Sequence, residues 1–124
     1  MSQRLIALGA LNCFLAVALG AFAAHGLQQV VSARALQTFQ TGVDYHFMHA
    51  LGLILIGILA KHWPRAVISG GLMLAGIVLF SGSLYVLSLS GIKALGMITP
   101  FGGLCFLGAW LWLAWLSMQQ PRDD

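Results

Sequence analysis

The sequence predicts an all-α fold, an antiparallel bundle of four membrane-spanning helices that makes one domain of residues 1–124 and keeps both termini in the cytoplasm. The first observation behind this is composition: 60% of the 124 residues are hydrophobic and 7% are charged, where a soluble domain carries roughly 25% charged residues. The second is length. A hydrocarbon layer about 30 Å thick takes on the order of 20 apolar residues per helix, and Leu5 to Ala24, Thr41 to Ala60, Ala66 to Leu89 and Ile98 to Ser117 each supply them. The third is charge placement. Arg4, Lys61, Arg65 and Arg122 fall at the amino terminus, the second connection and the carboxyl tail, against Arg34 and Lys93 on the other two connections. That bias places both termini inside.

The expected first helix, 5–24, carries Asn12, Ala16, Gly20 and Ala24 at every fourth position, a seam of small side chains along which a neighbouring backbone can approach closely. Arg4, the apolar stretch and the Ala21-Phe22-Ala23 triplet also fit a cleaved signal peptide. The length of the stretch and the three hydrophobic segments that follow favour a retained helix. Cys13 and Cys105 lie in apolar runs without C-x-x-C or zinc spacing and read as small buried side chains. Asn12 directly before Cys13 argues against a lipid-attachment site.

The second helix, expected over 33–60, is the odd one. Ser32 has the character of an N-cap, and the purely apolar run before Lys61 reaches back only to Phe47, interrupted by His49. A full span therefore includes Asp44, His46 and His49. At about 100° per residue, Leu36, Phe39, Val43, Phe47, Ala50 and Ile54 make an apolar stripe, with Gln37, Thr38, Thr41, Asp44, Tyr45 and His49 on the other side. His46 sits near the border. The result is an amphipathic segment leading into a span.

In the third helix, 66–89, Gly71 and Ala75 repeat the small-residue spacing; Gly102, Gly103 and Gly108 lighten the fourth, 98–117, with Gly96 on its approach. Trp63, Trp112 and Trp115 fall near the cytoplasmic interface, where indole prefers to sit, and Trp110 a little deeper.

Ionisable side chains at membrane depth are costly unless paired or hydrated. Inside-facing termini bring His25 at the end of the first helix, Asp44, Tyr45 and His49 of the second, Ser81, Ser83 and Tyr85 of the third and Thr99 of the fourth to one leaflet. The expectation is a single polar cluster, whose simplest work is an interhelical hydrogen-bond network.

The segments that carry these residues read LGAFAAHGL (Leu19 to Leu27), FQTGVDYHFMHALGLI (Phe39 to Ile54), LFSGSLYVLSLSG (Leu79 to Gly91) and ITPFGGLCFLGAWLWL (Ile98 to Leu113). Together they resemble the family of small bacterial membrane proteins of unknown function typified by YgdD, over nearly the whole chain. The resemblance implies a multi-pass protein of the bacterial inner membrane. Its pattern includes His25, Asp44 with Tyr45, His49, the run Ser81 to Tyr85 and Thr99 to Gly103; His46 is less typical, Gln being common there. It implies no activity.

Several chemistries compete for the cluster. His46 and His49, three residues apart on one helix, stand within about 60° of each other and with His25 and Asp44 offer a weak metal site, while His25 and His49 offer one for haem or quinone. One acid and two or three histidines also suit proton or small-solute transport through Asp44, His25 and His49. Catalysis has less support, since no G-x-S-x-G elbow, H-E-x-x-H pair or P-loop occurs and a lone membrane-adjacent carboxylate makes no acid/base pair. With three acidic residues and a net charge of +3, the excess positive charge reflects scarce acids and not a basic patch. Nucleic acid is therefore not an expected partner. The reading that follows is a non-enzymatic membrane protein with no cofactor, whose partners are the lipid bilayer and, through helix packing, itself or a larger membrane complex.

Overall fold

The computed structural model describes residues 1–123, and its chain is helical from end to end, apart from short connections. α1 runs Ser2–His25 and α2 Ala33–Leu59. α3 (Val67–Gly76) passes through a π-helical turn, Ile77–Gly82, into α4 (Ser83–Ser90). α5 covers Thr99–Met118. Among the described residues, four helical runs are long and apolar enough to cross a membrane: Ser2–Gln29, Ala33–Leu59, Pro64–Ser90 and Lys93–Met118.

Local chemistry sets the connections. Gly26 donates its N–H to Phe22 O as α1 ends, and a 3₁₀ turn, Leu27–Gln29, tucks Leu27 into the core at 1% exposure. Ser32 caps α2, its Oγ accepting from the Ala35 N–H at 3.1 Å. Pro64 cannot donate to a helix ladder and disfavours helical backbone at Trp63, so the chain turns there and restarts through a 3₁₀ turn, Pro64–Ala66. α4 closes on Gly91 in the left-handed region (φ 73°), which glycine adopts without a Cβ penalty. Pro100 stands in the first turn of α5, where its missing N–H costs nothing.

The spans pack in chain order. α1 lies along α2, α2 lies against α3, the π turn and α4, and α5 covers the other side of α3 and the π turn. The two middle spans are therefore flanked on both sides: 44% and 39% of their apolar windows are buried, against 17% for each outer span. Leu5, Leu53, Ile56, Met73, Ile77 and Phe106 form the larger apolar core. Ala23, Leu27 and Phe39 form a smaller one at the far end, backed by Tyr85.

Close backbone approach fixes the two outer contacts. A Cβ on Gly9 would stand 2.8 Å from Ala50 O and Ile54 N of α2, and one on Gly102 would strike the Phe80 backbone of the π turn. Of the expected seam on α1, Ala16 is fully buried and Gly20 faces Val43, but Ala24 is exposed and its neighbour Ala23 takes the inner position. Asn12 is half-buried and bonds across the interface instead of only packing. On α3 the expected Gly71 is also displaced: it is exposed with nothing within 4 Å, while Gly70 meets Leu5 and Ile56. Gly70 shares a helix face with Met73 and Ile77, three and seven residues on, and Gly71 is turned about 100° away. Ala75 is half-buried and Gly103 only touches the Phe80 ring.

Candidate functional site

Two buried histidines on α2 organise the polar interior. His46 and His49 are each 2% exposed, and each uses both ring nitrogens. Asn12 donates through Nδ2 to Leu8 O at 2.8 Å, which turns its Oδ1 toward His46 Nε2 at 2.9 Å. An amide oxygen only accepts, so His46 Nε2 carries the proton. Its Nδ1 then accepts from the Tyr85 hydroxyl at 2.8 Å. This chain of bonds ties α4 to α2 to α1.

His49 has the opposite arrangement. The indole Nε1–H of Trp110 donates to His49 Nε2 at 3.0 Å, and indole is a donor only. The His49 proton is thus on Nδ1, which donates to Tyr45 O at 2.7 Å. The ring is stacked on Phe106, centroids 3.5 Å apart and planes 9° from parallel. This second group ties α2 to α5.

Hydroxyls complete the interior. Ser81 donates to Gly42 O at 2.7 Å from the π turn to α2, Ser69 to Ala109 O at 2.8 Å from α3 to α5, and Ser83 to Phe80 O at 2.9 Å. Having spent its proton, Ser83 receives the Thr99 hydroxyl at 2.6 Å. Among the described residues no buried side-chain nitrogen or oxygen lacks a partner.

The polar residues expected to form one cluster thus divide. Ser81, Ser83, Tyr85 and Thr99 stand at helix contacts, as does His49, while Tyr45 contributes its carbonyl and leaves its ring 39% exposed beside Phe80. His25 and Asp44 belong to neither histidine network. His25 is exposed on the last turn of α1. Asp44 is exposed on the outer side of α2, in a groove of about 560 Å³ shared with Ala16, Val17, Gly20, Phe47 and Met48. Helical rotation explains the separation, since at about 100° per residue Asp44 points about 160° from His46 and about 140° from His49.

The same geometry bears on metal binding. Among the described residues no three His, Cys, Asp or Glu side chains come close enough to share an ion. The lone pairs that a metal would need on His46 and His49 are occupied by Tyr85 and Trp110. His46, Asn12, Trp110 and Ser69 are the partners that the sequence left outside the cluster. Rotation places His46 with His49, but nothing in a linear pattern pairs Asn12 or Trp110 with either.

At the end of the molecule that holds the termini, Arg65 lies over the rings of Trp112 and Trp115, 5.2 and 5.3 Å from their centroids, and its carbonyl accepts from Trp112 Nε1–H at 3.0 Å. Stacked indole and guanidinium suit the headgroup boundary of a bilayer.

The comparisons agree with a membrane protein. The profile of a family described as a protein of unknown function (DUF423) matches residues 19–103. The UPF0382 membrane protein YwdK of Bacillus subtilis is 51% identical over 109 residues, covering 86% of this chain and 89% of its own. A UPF0382 membrane protein of Staphylococcus saprophyticus is 45% identical over 114 residues, 87% and 91% of the two chains. Another, from Haemophilus influenzae, is 40% identical over 120 residues and spans 96% of this chain and 97% of its own. No solved structure matches. With a profile covering more than half of its length and relatives of this identity along nearly all of it, the chain belongs to the DUF423/UPF0382 family of small bacterial membrane proteins, whose function is unknown.

Proposed function

We propose that this chain is a non-enzymatic packing protein of the membrane, which offers the outer face of α1 and α2 to another transmembrane helix, from a second copy or from a larger complex. One observation carries the reading: the Asp44 carboxylate stands exposed in a groove floored by Ala16 and Gly20. Asp44 lies about 16 Å along α2 from Ala33, at 1.5 Å per residue, which is well inside a span of this length. An acid facing lipid near the middle of a helix costs about 2.5 to 3.5 kcal/mol on insertion scales. A helix seated in the groove relieves that cost by hydrogen bonding to the carboxylate, and the small floor lets its backbone come close.

The inner histidine networks support a structural role for the buried polar residues, because their hydrogen-bonding capacity is already engaged within the bundle.

The test uses a photoreactive side chain in place of Met48, on the groove wall, activated in native membranes. A discrete crosslinked polypeptide that disappears with Gly20→Leu supports packing; adducts with lipid alone overturn it. In the same protein reconstituted into vesicles, a proton or cation flux abolished by Asp44→Asn would replace packing with transport.

A further inference from the structure

A second recess lies at the membrane face opposite the termini, with a chemistry unlike that of the Asp44 groove. It holds about 570 Å³ between the start of α2 and the end of α4 and is lined by Ser32, Arg34, Thr38, Leu87, Ser88 and Lys93 among others. Arg34 and Lys93 are 59 positions apart in sequence. The fold brings them to one cavity because the first and third connections return to the same face.

From this recess we infer a binding site for the phosphate of an anionic phospholipid. Its donors are two cations and one hydroxyl. Ser32 Oγ accepts from Ala35 N–H and keeps its own proton free, whereas Thr38 and Ser88 have spent theirs on Arg34 O at 3.1 Å and Tyr85 O at 2.9 Å. No described carboxylate lies at this end: Asp44 is about 15 Å further along α2 and Asp123 follows α5 at the opposite face. A recess with cations and no acid of its own selects an anion.

Position selects a lipid over a free anion. The recess sits where α2 begins and α4 ends, at the ends of two runs long and apolar enough to cross a membrane and so where headgroups would meet them, and Leu87 with Ala35 forms an apolar wall against which a glycerol backbone and the first acyl carbons can rest. Zwitterionic headgroups carry a phosphate too, but their ammonium or choline group would meet Arg34 and Lys93 with like charge. Preference for a net negative headgroup follows.

The site shares no residue with the Asp44 groove, so either can fail without the other. The full chain is reconstituted in phosphatidylcholine with spin-labelled lipid at trace level, and the motionally restricted fraction is compared for labelled phosphatidylglycerol and labelled phosphatidylcholine. Restriction of phosphatidylglycerol is expected to exceed that of phosphatidylcholine by about fivefold, the effect of roughly one interfacial cation. The preference should fall to near parity in the Arg34→Gln/Lys93→Gln variant and persist in Lys93→Arg. Removing two cations from the other face, with Arg4→Gln/Lys61→Gln, should leave it in place. Equal restriction of the two labels in the parent protein, or a preference untouched by the Arg34/Lys93 pair, overturns the proposal. So does equal loss with the Arg4/Lys61 pair, which would mark a general surface field. Release of the label by inorganic phosphate at constant ionic strength would identify a site for soluble anions instead.

Discussion

His46 and His49, less than one helical turn apart on α2, are held in opposite tautomers: His46 carries its proton on Nε2 and faces Asn12, and His49 carries its proton on Nδ1 and faces Tyr45 O. Each is also an acceptor, His46 from Tyr85 and His49 from Trp110. One helix is thereby pinned to three neighbours by two side chains whose capacity is fully used.

Removing a hydroxyl from this arrangement should be measurable. Tyr85→Phe keeps the ring against Phe39 at 4.8 Å but leaves His46 Nδ1 without a donor. A loss of roughly 0.6 to 1.7 kcal/mol is expected, the range of interhelical hydrogen bonds in membrane bundles. Unfolding in detergent micelles followed by circular dichroism gives the value, and in a double-mutant cycle Asn12→Ala should couple to it through the shared imidazole.

Trp110→Phe should loosen α5 from α2 by a similar roughly 1 kcal/mol, because His49 Nε2 loses the indole N–H that donates to it. Hydrogen exchange at Thr99–Met118 should rise in that variant. Unchanged protection there would argue that Phe106 stacking alone holds the contact.

Glycines at contacts and glycines in the open should respond with opposite sign. Gly102→Ala drives a methyl into the Phe80 backbone and is expected to cost about 1 to 3 kcal/mol as overpacking. Gly71→Ala meets nothing within 4 Å on an exposed helical face and should gain up to about 1 kcal/mol from helix propensity. The pair is best compared by midpoint of thermal unfolding in one detergent.

Metal should not bind at the histidines. Zinc added to purified protein at neutral pH is expected to leave the indole fluorescence and the melting temperature unchanged, since Trp110 and Tyr85 occupy the lone pairs that zinc would take. A stoichiometric zinc complex lost with His49→Ala would require these networks to open.

Asp44→Asn should stabilise the isolated chain in the membrane, because the neutral amide is cheaper to place against lipid, while weakening the crosslink expected at the groove. Opposite signs on stability and association distinguish a docking acid from a structural one.

Much of the architecture was legible in the linear pattern. Membrane solvent leaves backbone groups no partner but the helix itself, so four apolar stretches of span length could scarcely form anything but helices, and Ser32 marked the start of the second. The polar residues were legible as residue types on particular helices, because hydrophobic length assigns each to a span. Their grouping was not. Assigning a broad polar side to α2 placed Asp44 with His49, although rotation turns the two about 140° apart.

By itself, then, the sequence determined that this is an all-helical membrane protein of four spans, since hydrophobic length and backbone hydrogen bonding are properties of each segment alone. Only the tertiary structure decided that His46 joins Asn12 and Tyr85, that His49 joins Trp110, that Gly70 and not Gly71 meets a neighbour, and that Asp44 faces outward. These depend on the rotation of each helix about its axis. That rotation is set by which glycine admits an adjacent backbone, a relation between segments that no single segment carries.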